Sequence, residues 1–379
     1  MGLFSHQHDH ARHRDAADRQ NSARSTQADF CHARRRIAGH LAVICGLLFT
    51  LGLPAQSEPL RIATYNVELQ RDGPGLLLRD LARGKDPQIA AVLAVIAAAD
   101  ADVLAIQNFD YDLTGEALTL LAKAADYPHS FALRPNTGMP TGLDMNGDGK
   151  LGGPADAQGY GRFSGQGGMA ILSRYPIRTD DVQDLSNLFW KDIPDALLPV
   201  TADGPFPSAD ALAVQRLSTT GHWIVPIDAP QGRFDLLTFH ASPPVFDGPE
   251  DRNGRRNHDE IRLWQQVLDG KIGTAPTHRF VIAGDANLDP KDSDGIRSAI
   301  RNLLADARLQ DVRPTGAAGT DTVDWADPVP GNLRVDYVLP STHWAVLDAG
   351  VMWPPADDPA APTVVAASRH RLVWVDLGY

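Results

Sequence analysis

The feature that most constrains the fold is a series of short apolar segments, each of which runs into polar residues. The segments are five to seven residues long and rich in Val, Ile, Leu and Phe, which is typical of β-strands buried on one or both faces. We therefore expect strands at 60–65, 102–106, 168–173, 234–239, 280–284, 334–340 and 371–377.

Helical patterns lie between some of these segments. Asp86 followed by Pro87 is typical of a helix start. The apolar residues that come next share one helical face: Ile89, Val92, Leu93 and Ile96. Further helices are predicted at about 256–269 and 296–304. Because strands outnumber helices and do not alternate with them regularly, we expect an α+β sandwich, formed by one domain at 58–379, rather than a doubly wound parallel sheet.

Residues 1–57 have the order of a secretory leader. A hydrophilic stretch and three arginines precede an apolar run at 37–53, and Ala55-Gln56-Ser57 forms a small-x-small cleavage site. We expect a disordered leader plus a signal peptide, with export to the periplasm or the extracellular space. A membrane anchor formed by 37–53 is the alternative. Both cysteines fall in this leader, so we expect a mature chain without disulfides. Since we find no second hydrophobic segment in the sequence, we also expect the mature chain to have no transmembrane domain.

Polar side chains of the kinds that take part in catalysis or metal binding lie at or near the ends of the apolar segments: Asn66, Asn108, Asp110, His240, Asp285, Asn287, Asp336 and His370. Taken singly, each is more often a turn, capping or structural residue. If the strand ends converge, together they offer what phosphodiester hydrolysis needs, which is a proton acceptor, a proton donor and groups that stabilise phosphoryl charge. Since histidine titrates near neutral pH, two imidazoles can divide the acid and base roles.

The charge of the chain bears on its substrate. Against 35 Lys and Arg there are 47 Asp and Glu, which gives a formal net charge of −12 at pH 7. A broad basic face that grips nucleic acid is therefore not expected. A phosphate-ester substrate would need another source of positive charge, and a bound cation is the first candidate.

Six sequence strings carry a family resemblance: RIATYNVE, GGMAILSRYPI, TFHASPP, GDANLDP, RVDYVLPS and SRHRLVWVDL. In this order they resemble the endonuclease/exonuclease/phosphatase superfamily over about residues 60–377. GDANLDP and RVDYVLPS are the most specific of them. The resemblance implies a four-layered β-sandwich of two mixed sheets flanked by helices, which agrees with the pattern of segments.

The resemblance implies catalytic roles for five residues. Asp285 and Asn287 match an Asp-x-Asn pair that contacts metal, nucleophile or transition-state phosphate. His370 matches the general base, and Asp336 matches the residue that orients it. His240 matches a second histidine, the expected general acid, which the nuclease and phosphodiesterase branches have and the abasic-site branch lacks.

The resemblance also implies a divalent metal, Mg²⁺ or Mn²⁺, and here the sequence departs from the family. Asn66 matches a metal-site Asn, but Asn108 replaces the glutamate that is the family's main metal ligand. An amide is a weaker ligand than a carboxylate for such hard cations. Glu68 and Asp110 each lie two residues from a family ligand position, on the same face of their strands, so they could complete the metal site.

A second departure places a cation beside the predicted base. The family's Ser-Asp-His is Ser-Arg-His here, so Arg369 stands where an acidic group is expected. Arg369 could hold phosphate oxygens with its guanidinium fork, and a surface ion pair is the alternative. Arg255, in the charged stretch at 243–260, is a second candidate phosphate ligand, unless that stretch is simply a solvated loop.

The expected function is that of a metal-dependent phosphodiester hydrolase in which water attacks phosphorus in line. The expected substrate is nucleic acid or a phospholipid head group, and we infer no stable protein partner. The alternatives are a degenerate member that binds phosphate ligands but hydrolyses them poorly, and a phospholipid phosphodiesterase or phosphatase.

A separate cation site is suggested by a D-x-N-x-D-G segment that begins at Asp144. It is the first half of an EF-hand-type loop, but position 12 is Ala155 rather than Glu. A structural Ca²⁺ held by Asp144, Asn146, Asp148 and Asp156 is one interpretation. A metal-free turn rich in Asn, Asp and Gly is the other.

Overall fold

Two mixed β-sheets lie at the centre of residues 58–378, the part of the chain that this computed structural model describes. The strands are β1 (Leu60–Leu69), β2 (Val103–Phe109), β3 (His129–Phe131), β4 (Gly168–Ser173), β5 (Gln183–Asp184), β6 (Val200–Thr201), β7 (Gly204–Pro205), β8 (Gly221–Ala229), β9 (Gly232–His240), β10 (Phe280–Asp285), β11 (Asp336–Pro340), β12 (Ala345–Val351) and β13 (Val373–Gly378). The predicted leader, its apolar segment at 37–53 and both cysteines lie outside these residues.

The strands pair in two different orders. The larger sheet has the order β12-β13-β1-β2-β4-β3, the second has β11-β10-β9-β8-β5, and β6 pairs with β7 in a separate ribbon. β1 is parallel to β2 and β9 is parallel to β10, whereas the other pairs are antiparallel. Both sheets are therefore mixed.

Helices cover the outer face of each sheet. They are α1 (Leu76–Arg83), α2 (Pro87–Ala99), α3 (Glu116–Ala124), α4 (Ala209–Val214), α5 (Arg252–Leu268), α6 (Ser298–Leu304) and α7 (Ala361–Ala367). α1, α2, α3 and α7 share an apolar core with the larger sheet, and α5 and α6 share one with the second sheet. The inner faces of the sheets meet in a third core. This order of layers confirms the predicted α+β sandwich of four layers.

Burial on both faces explains the continuous apolar runs. In β1, Ile62 packs between the two sheets, while Ala63 and Tyr65 pack against the helices on the other side. A strand that is covered on both faces has no exposed positions to fill with polar residues. Each of the seven predicted segments has a counterpart among the strands, with ends that differ by a few residues.

Local signals agree with the helices that were predicted. The Asp86 side chain accepts a hydrogen bond of 2.9 Å from the Ile89 N–H, and Pro87 is the first residue of α2. Six of the described strands were not predicted from the sequence: β3, β5, β6 and β7 have two or three residues each, β8 contains Pro226, and three of the seven residues of β12 are exposed. No helix within residues 58–378 has the length and apolar character needed to cross a bilayer.

Candidate active site

Strand register brings three predicted catalytic residues side by side at one edge of the second sheet. His240 ends β9 and lies opposite Asp285, which ends β10. Asp285 in turn lies opposite Asp336, the first residue of β11. Asn66 reaches this group from the other sheet, and its Nδ2 donates a hydrogen bond of 2.8 Å to Asp285 Oδ2. The strand ends therefore converge, as the sequence pattern predicted.

The backbone is irregular where the strands of the larger sheet meet the site. The pairing of β1 with β2 shifts register between Asn66 and Leu69, and Glu68 and Asn108 have left-handed φ angles of 47° and 57°. Such bulges are common next to active sites, where they re-aim a side chain. Here Asn108 Nδ2 lies 3.0 Å from Asn66 Oδ1. The rule that alternate residues share a strand face does not hold across a bulge, so it does not place Glu68 or Asp110 beside Asn66.

His370 is fixed by a carboxylate at its Nδ1 atom. Asp336 Oδ2 lies 2.9 Å from His370 Nδ1 and also accepts a hydrogen bond of 2.9 Å from Thr322 Oγ1. The Trp325 ring meets the imidazole edge to face, with 5.6 Å between ring centres. Burial alone would lower the pKa of His370, but the charges of Asp336, Asp285 and Glu68 outweigh it and raise the pKa to about 9. His370 therefore holds a proton at neutral pH.

His240 has the opposite electrostatic environment. Its Nε2 lies 3.5 Å from Asp285 Oδ2, and its Nδ1 is buried without a hydrogen-bond partner in the described chain. Burial, with a smaller effect from the positive charge of His370, lowers the pKa of His240 to about 3. Burial and the neighbouring Asp336 raise the pKa of Asp285. The site thus contains one neutral and one protonated imidazole.

Helix α5 holds the loops that come after β9 and β10. Asn257 Nδ2 donates to the carbonyls of Ser242, at 2.7 Å, and Ala286, at 2.8 Å. Those two residues lie just after His240 and Asp285 in the chain. Asn287 completes this region, since its Nδ2 donates to the Ala241 carbonyl at 2.9 Å. Sequence reasoning missed Asn257, because nothing in the helical pattern marks a residue that binds carbonyls of distant loops.

These residues surround a cleft of about 890 Å³. Among the predicted site residues, eight line it: Asn66, Glu68, Asn108, Asn146, His240, Asn287, Arg369 and His370. Asp285 and Asp336 are buried behind them. Thr322 and Trp325, which the sequence did not single out, belong to the long connection between α6 and β11.

Arg369 forms an ion pair with Glu68 in the cleft. Arg369 Nε lies 2.8 Å from Glu68 Oε1, Nη2 bonds to the same oxygen, and the Arg369 N–H donates to Oε2 at 2.8 Å. The guanidinium also lies 4.3 Å from the centre of the Trp325 ring. Although burial opposes it, this pairing lowers the pKa of Glu68.

Two predicted ligands lie away from the cleft. The Asp110 oxygens accept hydrogen bonds of 2.8 Å from the N–H groups of Arg71 and Gly167, and burial raises the pKa of this carboxyl to about 6. Arg255 Nε donates to the Glu250 carbonyl at 3.1 Å. Its helical neighbours Arg252 and Arg256 line the cleft instead.

The donor set around Asn66 does not fit a divalent cation. Cations such as Mg²⁺ take oxygen ligands and depend on carboxylates among them. The amides of Asn66 and Asn108 are hydrogen-bonded to each other, and the carboxylate of Glu68, which lines the cleft with them, is paired with Arg369. A cation at this position would have to displace a guanidinium.

A second group of possible ligands lies deeper. Within residues 58–378, one set of three acidic or imidazole side chains has ligand atoms within 4.8 Å of one another: Asp285, Asp336 and His370. A cation there would compete with the proton shared by His370 Nδ1 and Asp336. This group supports a proton relay better than a metal site.

The D-x-N-x-D-G segment is a loop whose carboxylates bind its own backbone. Asp144 accepts hydrogen bonds from four successive N–H groups, those of residues 146–149. Asp148 accepts one from Lys150, and Asp156 accepts those of Met145 and Gly153. These bonds close the loop through turn chemistry. The structural Ca²⁺ at Asp144, Asn146, Asp148 and Asp156 stays a prediction.

Comparison with known proteins agrees with the fold. The chain matches the model of the endonuclease/exonuclease/phosphatase family over residues 63–370. No curated protein matches it in sequence. Among solved structures, an endonuclease/exonuclease/phosphatase from Beutenbergia cavernae is 19% identical, with a TM-score of 0.52 over 85% of this chain and 72% of that one. This likeness shows the fold.

Two further structures are similar at lower scores. A family protein from Leptotrichia buccalis is 17% identical, with a TM-score of 0.49 over 84% of this chain and 100% of that one. Sphingomyelinase C from Streptomyces griseocarneus is 19% identical, with a TM-score of 0.46 over 84% of this chain and 99% of that one. On the family match, the chain belongs to the endonuclease/exonuclease/phosphatase family, whose members are phosphoester hydrolases.

Proposed function

We propose that this chain hydrolyses phosphodiesters in the cleft, with two imidazoles that move the protons. The observation that carries the proposal is that both imidazoles meet at one carboxylate. His240 Nε2 lies 3.5 Å and His370 Nδ1 lies 4.0 Å from the same oxygen, Oδ2 of Asp285. A phosphate in the cleft can therefore have a proton acceptor and a proton donor close to it.

The pKa values support a particular division of labour. His240, with a pKa of about 3, is neutral at pH 7 and can accept a proton from the attacking water. His370, with a pKa of about 9, is protonated and can donate to the leaving oxygen. This assignment reverses the roles that the family resemblance implies. It follows from protonation state alone, since each group is then in its working form across the neutral range.

The chain's other residues position these groups. Asp336 holds the His370 ring through Nδ1 and leaves Nε2 for the substrate, while Thr322 fixes the carboxylate. The amides of Asn66, Asn108 and Asn287 line the cleft and supply hydrogen-bonding groups for phosphoryl oxygens. Pre-set donors of this kind stabilise charge that develops in the transition state.

Members of the family typically depend on a divalent metal. The Mg²⁺ or Mn²⁺ that the sequence resemblance implies would have Asn66, Asn108 and Glu68 as its ligands. We assign no step of this reaction to a metal, because those side chains are bonded to one another and to Arg369.

Leaving-group dependence tests the roles of the histidines. Loss of the general acid matters least for a good leaving group such as p-nitrophenolate, because that oxygen leaves without a proton. We expect His370→Ala to lower the rate strongly for a dialkyl phosphodiester, whose leaving group is an alkoxide, and weakly for bis-p-nitrophenyl phosphate. His240→Ala should lower the rate with both substrates.

His343→Ala is the matched control, since His343 is exposed and does not line the cleft. If His370→Ala lowers the rate equally with both substrates and His240→Ala lowers it weakly with bis-p-nitrophenyl phosphate, the roles of the two histidines are exchanged. No turnover by the wild type of either substrate, with and without Mg²⁺ or Mn²⁺, would remove the hydrolase proposal and leave a phosphate-binding member of the fold.

A phospholipid substrate is a second candidate, favoured by the rim of the cleft. Tyr160 and Phe246 line the cleft and are 66% and 89% exposed. Exposed aromatic side chains around a polar site are typical of surfaces that contact lipid or another apolar partner. Turnover of choline phospholipid vesicles together with failure to cut plasmid DNA would support this substrate, and the opposite result would support a nuclease.

A further inference from the structure

The cleft concentrates positive charge in a chain that is acidic as a whole. The net charge is −12. The cleft nevertheless has five arginines among its lining residues, against two carboxylates, Glu68 and Asp72. The arginines are Arg71, Arg162, Arg252, Arg256 and Arg369. Charge of one sign gathered in a concave site favours a ligand of the opposite sign, which here is an anion.

Three of these arginines are engaged in holding the protein together. Arg256 is buried and donates to the carbonyls of Leu217, Gln158, Arg216 and Ser218. Arg71 bonds to Asp80 and Asp86, and Arg252 is largely buried and bonds to the Met145 carbonyl. These guanidinium groups have structural partners that a ligand would have to replace.

Arg162 is exposed and pairs with Asp72. Arg369 is also exposed, but it is fixed beside His370. Its aromatic neighbour Trp325 also contacts His370, so the cation is held next to the catalytic imidazole. Its bonds to Glu68 use Nε and Nη2, and within residues 58–378 its Nη1 has no hydrogen-bond partner. The side chain stays 58% exposed. A planar guanidinium with free N–H groups is suited to the oxygens of a phosphate.

We propose that Arg369 is the phosphate-binding cation of this cleft and that phosphate binds there without a divalent metal. The inference deepens the proposed hydrolase function and rests on it only for the chemical step after binding. The Arg369 guanidinium lies beside Glu68, where a metal ion bound by this carboxylate would lie, and its charge neutralises the carboxylate. Once neutralised, Glu68 no longer repels a phosphate ester, and the free Nη1 group of Arg369 can donate to its oxygens.

Inorganic phosphate is the probe for the test. Binding to the full chain is measured by titration calorimetry in buffer that contains EDTA, and again with Mg²⁺ in place of EDTA. The wild type is expected to bind phosphate equally in both buffers. Arg369→Met keeps the bulk of the side chain but removes its charge, and is expected to weaken binding about tenfold or more, the scale of a lost charge-assisted hydrogen bond.

Two further variants control for charge and for folding. Arg369→Lys keeps the charge but loses the planar guanidinium, and is expected to bind phosphate more tightly than Arg369→Met and more weakly than the wild type. Arg178→Met is the matched control, since Arg178 is exposed, paired with Asp181, and remote from the lining of the cleft. Melting curves of all variants establish that each is folded.

Three results would overturn the inference: phosphate binding that appears only with Mg²⁺, no phosphate binding in either buffer, or equal affinities for Arg369→Met and the wild type. A Lys variant as weak as the Met variant would also overturn it, because charge would not be the cause. Turnover of bis-p-nitrophenyl phosphate is measured separately. Its absence would reject the hydrolase proposal and leave the phosphate-binding result to stand or fall by itself.

Discussion

Replacing Asp336 by Asn should lower the pKa of His370 markedly. The carboxylate lies 2.9 Å from His370 Nδ1 and, with Asp285 and Glu68, raises the imidazole pKa from 6.5 to about 9 against the effect of burial. A rise of about 2.5 units corresponds to about 3 kcal/mol. Without the largest of these charges we expect the pKa to fall by about two units, to near or below its ordinary value.

The same shift has a defined effect on stability. Because the folded-state pKa of His370 is raised, its contribution to the free energy of unfolding is present below pH 6.5 and is lost as the pH rises through about 9. Asp336→Asn should therefore destabilise the chain by up to about 3 kcal/mol at pH 6 and by much less at pH 10.

Histidine Cε1–H resonances tracked against pH give the pKa, and urea unfolding at the two pH values gives the stability. Asp357→Asn, at an exposed carboxylate, is the control and should change neither. If the pKa of His370 stays near 9 in Asp336→Asn, the Asp336 carboxylate is not what raises it, and the raised value has another origin.

Three other outcomes are expected from the contacts. Burial lowers the pKa of His222 to about 3, so the fold favours its neutral form and the free energy of unfolding should fall as the pH drops below 6.5. At pH 5 the expected loss is about 2 kcal/mol. His222→Gln should remove about one proton from the pH dependence of urea unfolding. Asp110→Asn loses one of two acceptors for backbone N–H groups, which should cost about 1–3 kcal/mol in thermal unfolding. Asn257→Leu frees the carbonyls that lie just after His240 and Asp285, and should lower kcat more than it changes KM in steady-state assays. A variant with the kcat and KM of the wild type would argue against a positioning role.

The sequence predicted the parts of the site that depend on strand ends. Apolar runs located β9, β10 and β11, and the polar residues at their ends had to meet once those strands paired. His240, Asp285 and Asp336 therefore lie together for a reason visible in the chain. Asn66 lies inside β1 of the opposite sheet, where a bulge begins, and its side chain reaches Asp285 from there.

Other parts of the site depend on backbone irregularity and on distant pairing. The bulge at Asn108 and the left-handed Glu68 cancel the alternation from which ligand positions were inferred. Asp110 binds two backbone N–H groups of loops whose paths no local pattern determines. The ion pair of Glu68 with Arg369 joins residues 301 positions apart, so only the assembled sandwich brings them together.

Hydrolysis in ¹⁸O-enriched water is a direct test of whether water attacks the phosphorus atom of the substrate. If water attacks phosphorus between His240 and His370, the phosphate product of a simple diester carries the label, and His240→Ala and His370→Ala each lower labelled product about a hundredfold with an alkyl ester leaving group. His343→Ala should release labelled product at the wild-type rate. Product without the label, or wild-type amounts of labelled product from either active-site variant, would contradict the account.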